Sequence, residues 1–259
     1  MSALFVTGDI HGHVVKVRAL LRDAGLIDAD ATWTGADSSL WFMGDLVDHG
    51  PDGIGAIAFL MRLQGEAAAA NGRVGVLLGN HDVLLLAADR FGAEPFPGTD
   101  KTFRDIWEQS GGQTSDLDRL TPEHARWLAF LPAMAREGDG LLVHADALFY
   151  SGYGDSITDV NANVQALLQS NDPARWARLL NAFGEHRAFT GASGTAAAET
   201  FLRRFGGERI VHGHTPITKM TGQPPATVRE PLLYASDRAL NLDAGLYLGG
   251  PGFVYRVTG

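Results

Sequence analysis

Five short motifs in this chain place Asp, Asn or His directly after an apolar run. They are Gly8-Asp9-Ile10-His11-Gly12, Gly44-Asp45-Leu46-Val47-Asp48, Gly79-Asn80-His81-Asp82, Val143-His144-Ala145-Asp146 and Val211-His212-Gly213-His214-Thr215. Asp9 and His11 stand two residues apart, so in an extended segment both side chains point to one side and a single cation can take a carboxylate and an imidazole together. Each motif alone has a plainer reading. Gly8-Asp9 suits a turn, Asp45 and Asp48 suit the cap of a following helix, and so does Asn80-His81-Asp82. His144 and His214 each follow a buried run, where a lone histidine is often a satisfied core residue. Five such coincidences at five strand ends point instead to a metal centre.

The elements that must position these residues follow from the apolar runs: Leu4-Phe5-Val6, Leu40-Trp41-Phe42-Met43, Val74-Gly75-Val76-Leu77-Leu78, Leu141-Leu142-Val143 and Ile210-Val211. Each reads as a buried strand, and in open α/β sheets ligands bind beyond the carboxyl ends of strands. In the first third, strands alternate with helices expected at about 14–24, 51–70 and after Asp82, a pattern that favours a parallel sheet. Pro51 is expected in the first turn of the second helix. The pattern turns helical over 91–140, with Gly111-Gly112 and a cap at Thr121-Pro122-Glu123 separating the pieces, and again over 157–205, where Val160, Val164, Leu167 and Leu168 form a core face at helical spacing. The last third is strand rich, and Gly249-Gly250-Pro251-Gly252 suits the turn of a terminal hairpin.

Composition narrows the chemistry. The 259 residues contain no cysteine, which excludes disulfides, thiolate ligands and cysteine nucleophiles and leaves nine histidines for any soft ligation. A net charge of −9 without a Lys/Arg cluster argues against a broad nucleic-acid or anionic-membrane surface, although a small anion can still bind at a local cation. No basic stretch leads into an apolar leader and no apolar segment is long enough to span a bilayer, so a cytoplasmic location is expected. The aromatic loop Phe149-Tyr150-Ser151-Gly152-Tyr153 suits either core packing or stacking on a nucleobase.

Taken in series, GDIHG, GDLVDHGPD, GNHD, VHAD and VHGHTP resemble the calcineurin-like metallophosphoesterase superfamily. Within it they resemble the phosphoprotein-phosphatase-like branch, which includes bacterial Ser/Thr phosphatases and symmetrical dinucleoside tetraphosphatases. The resemblance extends to Asn241-Leu242-Asp243-Ala244-Gly245. It implies an α/β fold, a four-layer α/β/β/α sandwich of two mixed sheets flanked by helices, in one domain over 1–259 with helical cap insertions at about 91–137 and 155–206. It implies two divalent metal ions per chain, manganese first, with iron, zinc, cobalt, nickel or magnesium also suitable. Asp9, His11 and Asp45 would hold one ion, and Asp45, Asn80, His144 and His214 the other. Asp45 would bridge ions roughly 3.5–4 Å apart, and the hydroxide between them would attack phosphorus in line. His81 would be the general acid and Asp48 its orienting partner, with Asn80 also touching substrate. The implied substrate is a phosphomonoester such as protein phosphoserine or phosphothreonine, the alternative a nucleotide or dinucleoside polyphosphate. A non-catalytic metal-binding regulatory module is the alternative of another class.

Four positions depart from the family pattern or extend it. His49 stands where an arginine usually clamps the phosphate, and an imidazole offers that clamp only when protonated. Arg187, in Glu185-His186-Arg187, is a candidate replacement. Asp146 replaces the usual glycine and suits a turn better than a metal-facing carboxylate. His212, two residues before His214 on a strand, is expected on the same side, supporting the ligands from behind. After His214 the chain continues Thr215-Pro216, without the further histidine that other superfamily members supply to the first metal.

Overall fold

The structure is a computed structural model that describes residues 2–257. Two sheets form its centre. The first has the order β3-β2-β1-β9, from β1 (Leu4–Thr7), β2 (Ser39–Phe42), β3 (Arg73–Val76) and β9 (Tyr255–Val257). β1, β2 and β3 run parallel and β9 joins β1 antiparallel. The second sheet has the order β4-β5-β6-β8-β7, from β4 (Met134–Glu137), β5 (Gly140–Val143), β6 (Arg209–His212), β7 (Leu232–Tyr234) and β8 (Ala239–Asn241), with β5, β6 and β8 parallel and both edges antiparallel.

Strand alternation divides the apolar residues between two layers. Val6, Trp41, Met43 and Leu77 of the first sheet meet Leu142, Val211, Leu240 and Leu242 of the second in a core between the sheets. Leu40, Phe42, Val74 and Val76 belong instead to the core shared with α1 (Val14–Asp23) and α2 (Gly53–Ala69), through Val17, Leu21, Ile57 and Leu60. Covered on both faces, β2 is buried at all four residues. Leu141, Val143 and Ile210 share their core with α7 (Ile157–Leu168), α8 (Pro173–Phe183) and α9 (Gly194–Phe205). The result is the expected four-layer sandwich. No described helix is long and apolar enough to cross a membrane.

Three local expectations are corrected. The region 91–140 holds α4 (Phe103–Gln109), α5 (Thr114–Arg119) and α6 (Pro122–Ala129), the last capped by Thr121, but it ends in β4, a strand rather than helix. Pro51 lies before α2, not in its first turn; Asp52 is the cap, accepting from the Gly55 N–H, and Asp116 of α5 accepts from Gly53 and Ile54. The Gly249–Gly252 segment joins no hairpin, because β9 crosses to the first sheet and pairs with β1. The last hairpin is β7–β8, turning through Ala235, Ser236 and Asp237 at positive φ.

Candidate metal centre and active-site cavity

Register brings the motifs together. Thr7 pairs with Phe42 and Phe42 with Val76, so the loops after β1, β2 and β3 leave one edge at one level. The loops after β5 and β6 leave neighbouring strands, with Leu142 level with Val211. α3 (Asn80–Phe91) starts at the third motif, and its Asp82 ties the loops by accepting from the Gly79 and Leu46 N–H groups. His11, Asp45, Asp48, His49 and His214 all take positive φ, a conformation that non-glycine residues adopt sparingly and that gathers at functional sites. Close approach also needs glycine: a Cβ on Gly213 would strike the Asp9 Oδ1.

Asp45 lies at the centre, 2% exposed. Its Oδ2 faces the His11 Nε2 at 3.7 Å and its Oδ1 faces the His144 Nε2 at 3.4 Å. One carboxylate is thus divided between two groups, Asp9/His11/Asp45 and Asp45/His144/His214, each with ligand atoms within 4.8 Å of one another. Asn80 joins the second group, its Oδ1 at 3.0 Å from the His144 Nε2 and 2.9 Å from the His214 Nδ1.

These residues fit divalent cations better than they fit each other. The Asp9 Oδ1 is buried without a hydrogen-bond partner, although its Oδ2 accepts from the His214 N–H. His144 donates its Nδ1 proton to the Met43 carbonyl at 2.7 Å, so when neutral its Nε2 presents a lone pair to the Asn80 oxygen. Burial and the neighbouring Asp243 and Asp45 carboxylates raise Asp9 well above the ordinary carboxylate range. Burial lowers His11 to about 3, and burial together with His144 lowers His214 to about 3, so both imidazoles are neutral donors at pH 7. Burial opposes ionisation of Asp45, but His144, His81 and His11 outweigh it and hold that carboxyl below its usual range. A buried cluster of carboxylates and neutral imidazoles, with lone pairs converging and one oxygen unpartnered, is a cation-binding donor set.

His81 sits beside this set at 13% exposure. Its Nδ1 donates to the Asp48 Oδ2 at 2.9 Å and its backbone N–H donates to the Asp45 Oδ1 at 2.8 Å. Burial alone would lower the imidazole, yet Asp45 and the Asp48 hydrogen bond raise it to about 9. The helical segment between α3 and β4 fixes Asp48 from the other side: the Trp107 Nε1 of α4 donates to its Oδ1 at 2.9 Å. Gly111 accepts from the His49 N–H at 2.9 Å.

Above these residues lies a cavity of about 420 Å³. His11, Asp45, Asn80, His81 and His214 line its floor, and His49, His186, Arg187, Lys219 and Tyr247 its walls. His49 stacks on Tyr247, ring centres 4.5 Å apart at 14°. Burial and His81 lower His49 to about 4, so it is neutral at pH 7 and supplies no standing positive charge. Arg187 reaches the cavity, but its guanidinium donates to the Lys219 carbonyl at 2.6 Å, tying the α8–α9 loop to α10 (Ile217–Thr221).

One expected residue sits elsewhere. His212 does not face the ligands: its ring meets the Tyr234 hydroxyl at 2.8 Å and the Gly213 carbonyl at 2.9 Å. β6 ends at His212, and the positive φ of His214 breaks the alternation that would have kept the two on one side. Asp146 accepts from the Thr215 hydroxyl at 2.5 Å and the Arg187 N–H at 2.8 Å, so it is a structural tie, as the turn reading expected. The aromatic loop is core: Tyr150 is fully buried, its hydroxyl accepts from the Ala145 N–H, and Phe149 stacks on it. Lys219, Tyr247 and His186 carry no motif; only their place on the cavity marks them.

Comparison with known proteins agrees with this geometry. The calcineurin-like phosphoesterase profile matches residues 3–217, and the protein belongs to that family. Shewanella-like protein phosphatase 2 of Arabidopsis thaliana is 35% identical over 86 residues, 33% of this chain and 22% of that one. A symmetrical bis(5'-nucleosyl)-tetraphosphatase of Methylococcus capsulatus is 36% identical over 143 residues, 55% of this chain and 42% of that one. The matched segments span less than half the length of these curated relatives, which fit the phosphoprotein-phosphatase-like branch. Among solved structures, the cold-active protein-tyrosine phosphatase of a psychrophilic Shewanella superposes with a TM-score of 0.73 at 21% identity, covering 96% of this chain and 73% of that one. A protein serine/threonine phosphatase from Saccharomyces cerevisiae gives 0.60 at 15%, covering 96% and 70%. At these identities the structural likeness shows the fold.

Proposed function

We propose that the chain is a dinuclear-metal-dependent hydrolase of phosphomonoesters, with protein phosphoserine or phosphothreonine as the substrate class. The observation that carries this reading is the division of the two Asp45 oxygens between His11 and His144, which gives two adjoining donor groups one shared carboxylate. Asp9, His11 and Asp45 would hold one ion, manganese being preferred, and Asp45, Asn80, His144 and His214 the second. When bound, the pair neutralises phosphoryl charge and acidifies water for in-line attack.

The chain's own residues supply the rest. His81 keeps its Nδ1 proton on Asp48, so the proton available to the leaving oxygen is the one at Nε2, and Asp45 and Asp48 keep that proton in place at neutral pH. Trp107 fixes the Asp48 carboxylate and therefore the imidazole plane. Asn80 presents its side chain to the cavity floor, while Lys219 and Arg187 bring positive charge to the walls. His49 contributes a neutral contact there.

A second reading is hydrolysis of a nucleotide or dinucleoside polyphosphate. The stacked His49–Tyr247 pair on the cavity wall favours it, offering an aromatic surface to a base. Turnover of a phosphopeptide, a mononucleotide and a dinucleoside tetraphosphate by manganese-loaded protein separates the readings. Preference for the phosphopeptide supports the first, and preference for the tetraphosphate replaces it with the second. No turnover with any divalent metal overturns both.

A further inference from the structure

His11, His49 and His81 form a group that neither donor set above explains. Their ligand atoms lie within 4.8 Å of one another. The three ring centres make a nearly equilateral triangle of 5.0, 4.9 and 5.0 Å, with the planes inclined by 73°, 84° and 57°. A tetrahedral ion bound by three imidazole nitrogens at roughly 2.0–2.1 Å sets ring centres about 5 Å apart. We propose that these three histidines form a further cation position, selective for imidazole-preferring divalent ions and best matched to Zn²⁺, whose occupancy inhibits the enzyme.

The surroundings prepare two of the rings for that role. The His11 Nδ1 donates to the Val47 carbonyl at 3.0 Å and the His81 Nδ1 donates to Asp48, which leaves Nε2 of each as the ligand atom. A metal-ligating histidine usually has its other nitrogen held in this way. His49 is oriented differently, by its stack on Tyr247 and by the backbone bond to Gly111. Among the described residues no side chain or backbone group hydrogen-bonds its ring.

Inhibition follows from what the ion displaces, and that part rests on the proposed function. An ion on the His81 Nε2 takes the place of the proton meant for the leaving group. The His11 Nε2 is also the atom turned toward Asp45, so it cannot serve the three-histidine position and the Asp9/His11/Asp45 group at once. His49 is what makes the position possible, since an arginine there would set a permanent positive charge against the cation.

The test uses protein saturated with Mg²⁺, an oxygen-preferring ion, and titrated with Zn²⁺ by calorimetry. His49→Phe keeps an aromatic ring for Tyr247 but removes the ligand; His49→Arg adds the opposing charge. Zinc that exchanges into the other groups appears in all three proteins, so the difference isolates the new position. The wild type is expected to show a zinc-binding phase that weakens at least about tenfold in both variants, and a cobalt-loaded sample should lose a matching visible absorption band. Inhibition by zinc of p-nitrophenyl phosphate turnover should weaken by a similar factor. Coincident zinc isotherms and cobalt spectra for the three folded proteins overturn the proposal. If the wild type turns over no phosphoester with any metal, the proposed function fails, while the isotherms still decide the cation site.

Discussion

The floor and the walls of the cavity are built on different principles. The donor residues at and beneath the floor, Asp9, Asp45 and His144, are buried, leave the ends of paired strands, and are held by backbone bonds or by one another. The wall residues His49, His186, Arg187 and Lys219 are exposed and come from the loop after β2, the α8–α9 loop and α10. Rigid strand ends fix a donor set to fractions of an ångström, which metal binding requires. Loops set what reaches it, and they are free to differ between relatives with one centre. The two regions meet at Asp48 and His49, adjacent residues of which one is clamped by Trp107 and the other leans on Tyr247.

The sharpest way to break the contrast is at its centre. Asp45→Asn removes the negative charge from the only carboxylate among the described residues that faces both histidine groups. It should lose affinity for both ions together, by more than the roughly 10–100-fold typical of a merely supporting partner, with activity falling to background. Metal analysis after dialysis, alongside turnover, checks this; two retained ions with near wild-type rates would remove Asp45 from the bridge. His81→Ala probes a floor residue that belongs to neither of the two donor groups sharing Asp45. Both ions should stay, and turnover of a poor leaving group should fall by about 10²–10⁴-fold, with a smaller loss for p-nitrophenolate. Equal losses on both substrates would contradict the acid role.

A wall residue should matter less and differently. Lys219 is exposed and its backbone carbonyl, not its ammonium, receives Arg187. Lys219→Ala should raise KM by about fivefold, the worth of roughly 1 kcal/mol for a solvent-screened ion pair, with kcat and metal content nearly unchanged. A kcat loss larger than the KM change would move Lys219 from substrate binding to chemistry.

The floor was legible in the sequence for a physical reason. A short apolar run that stops at Gly-Asp, Gly-Asn or Val-His shows both a buried strand and the polar group placed at its end, and the two are contiguous in the chain. The walls have no such signature. Trp107 reaches Asp48 across 59 positions, and Tyr247 reaches His49 only because β9 and its preceding loop return to the first sheet. β4 was hidden for another reason. Met134, Ala135, Arg136 and Glu137 are good helix formers, and only antiparallel pairing with β5 makes them a strand. His212 failed through a single backbone angle, the positive φ at His214, which no residue pattern announces.

The smallest expected effect is in stability, and it tests whether the floor awaits a cation. Burial raises Asp82 to about 8 and Asp243 to about 7, and burial offset by Asp45 and Asp48 leaves His81 at about 9. A group whose folded pKa lies above its unfolded value contributes stability that is full below the unfolded pKa and lost as pH rises through the folded one. His11 and His214, lowered to about 3, have the opposite sign, but their contribution is already complete above the ordinary histidine value and does not change from pH 7 to 9. In that window the raised groups alone act. Chelator-treated protein should therefore melt at progressively lower temperature from pH 7 to 9, by about 2–4 °C for each kcal/mol of linkage in a chain of this size. Saturating Mn²⁺ should raise the melting temperature most at pH 9, because the cation supplies the charge that the ionised carboxylates lack. Asp243→Asn, which removes one raised group while preserving shape, should flatten the pH dependence of the chelated protein. Melting curves that are level from pH 7 to 9 without metal would mean that the buried carboxylates are already compensated within the fold, and the floor would then be a finished structure rather than an open cation site.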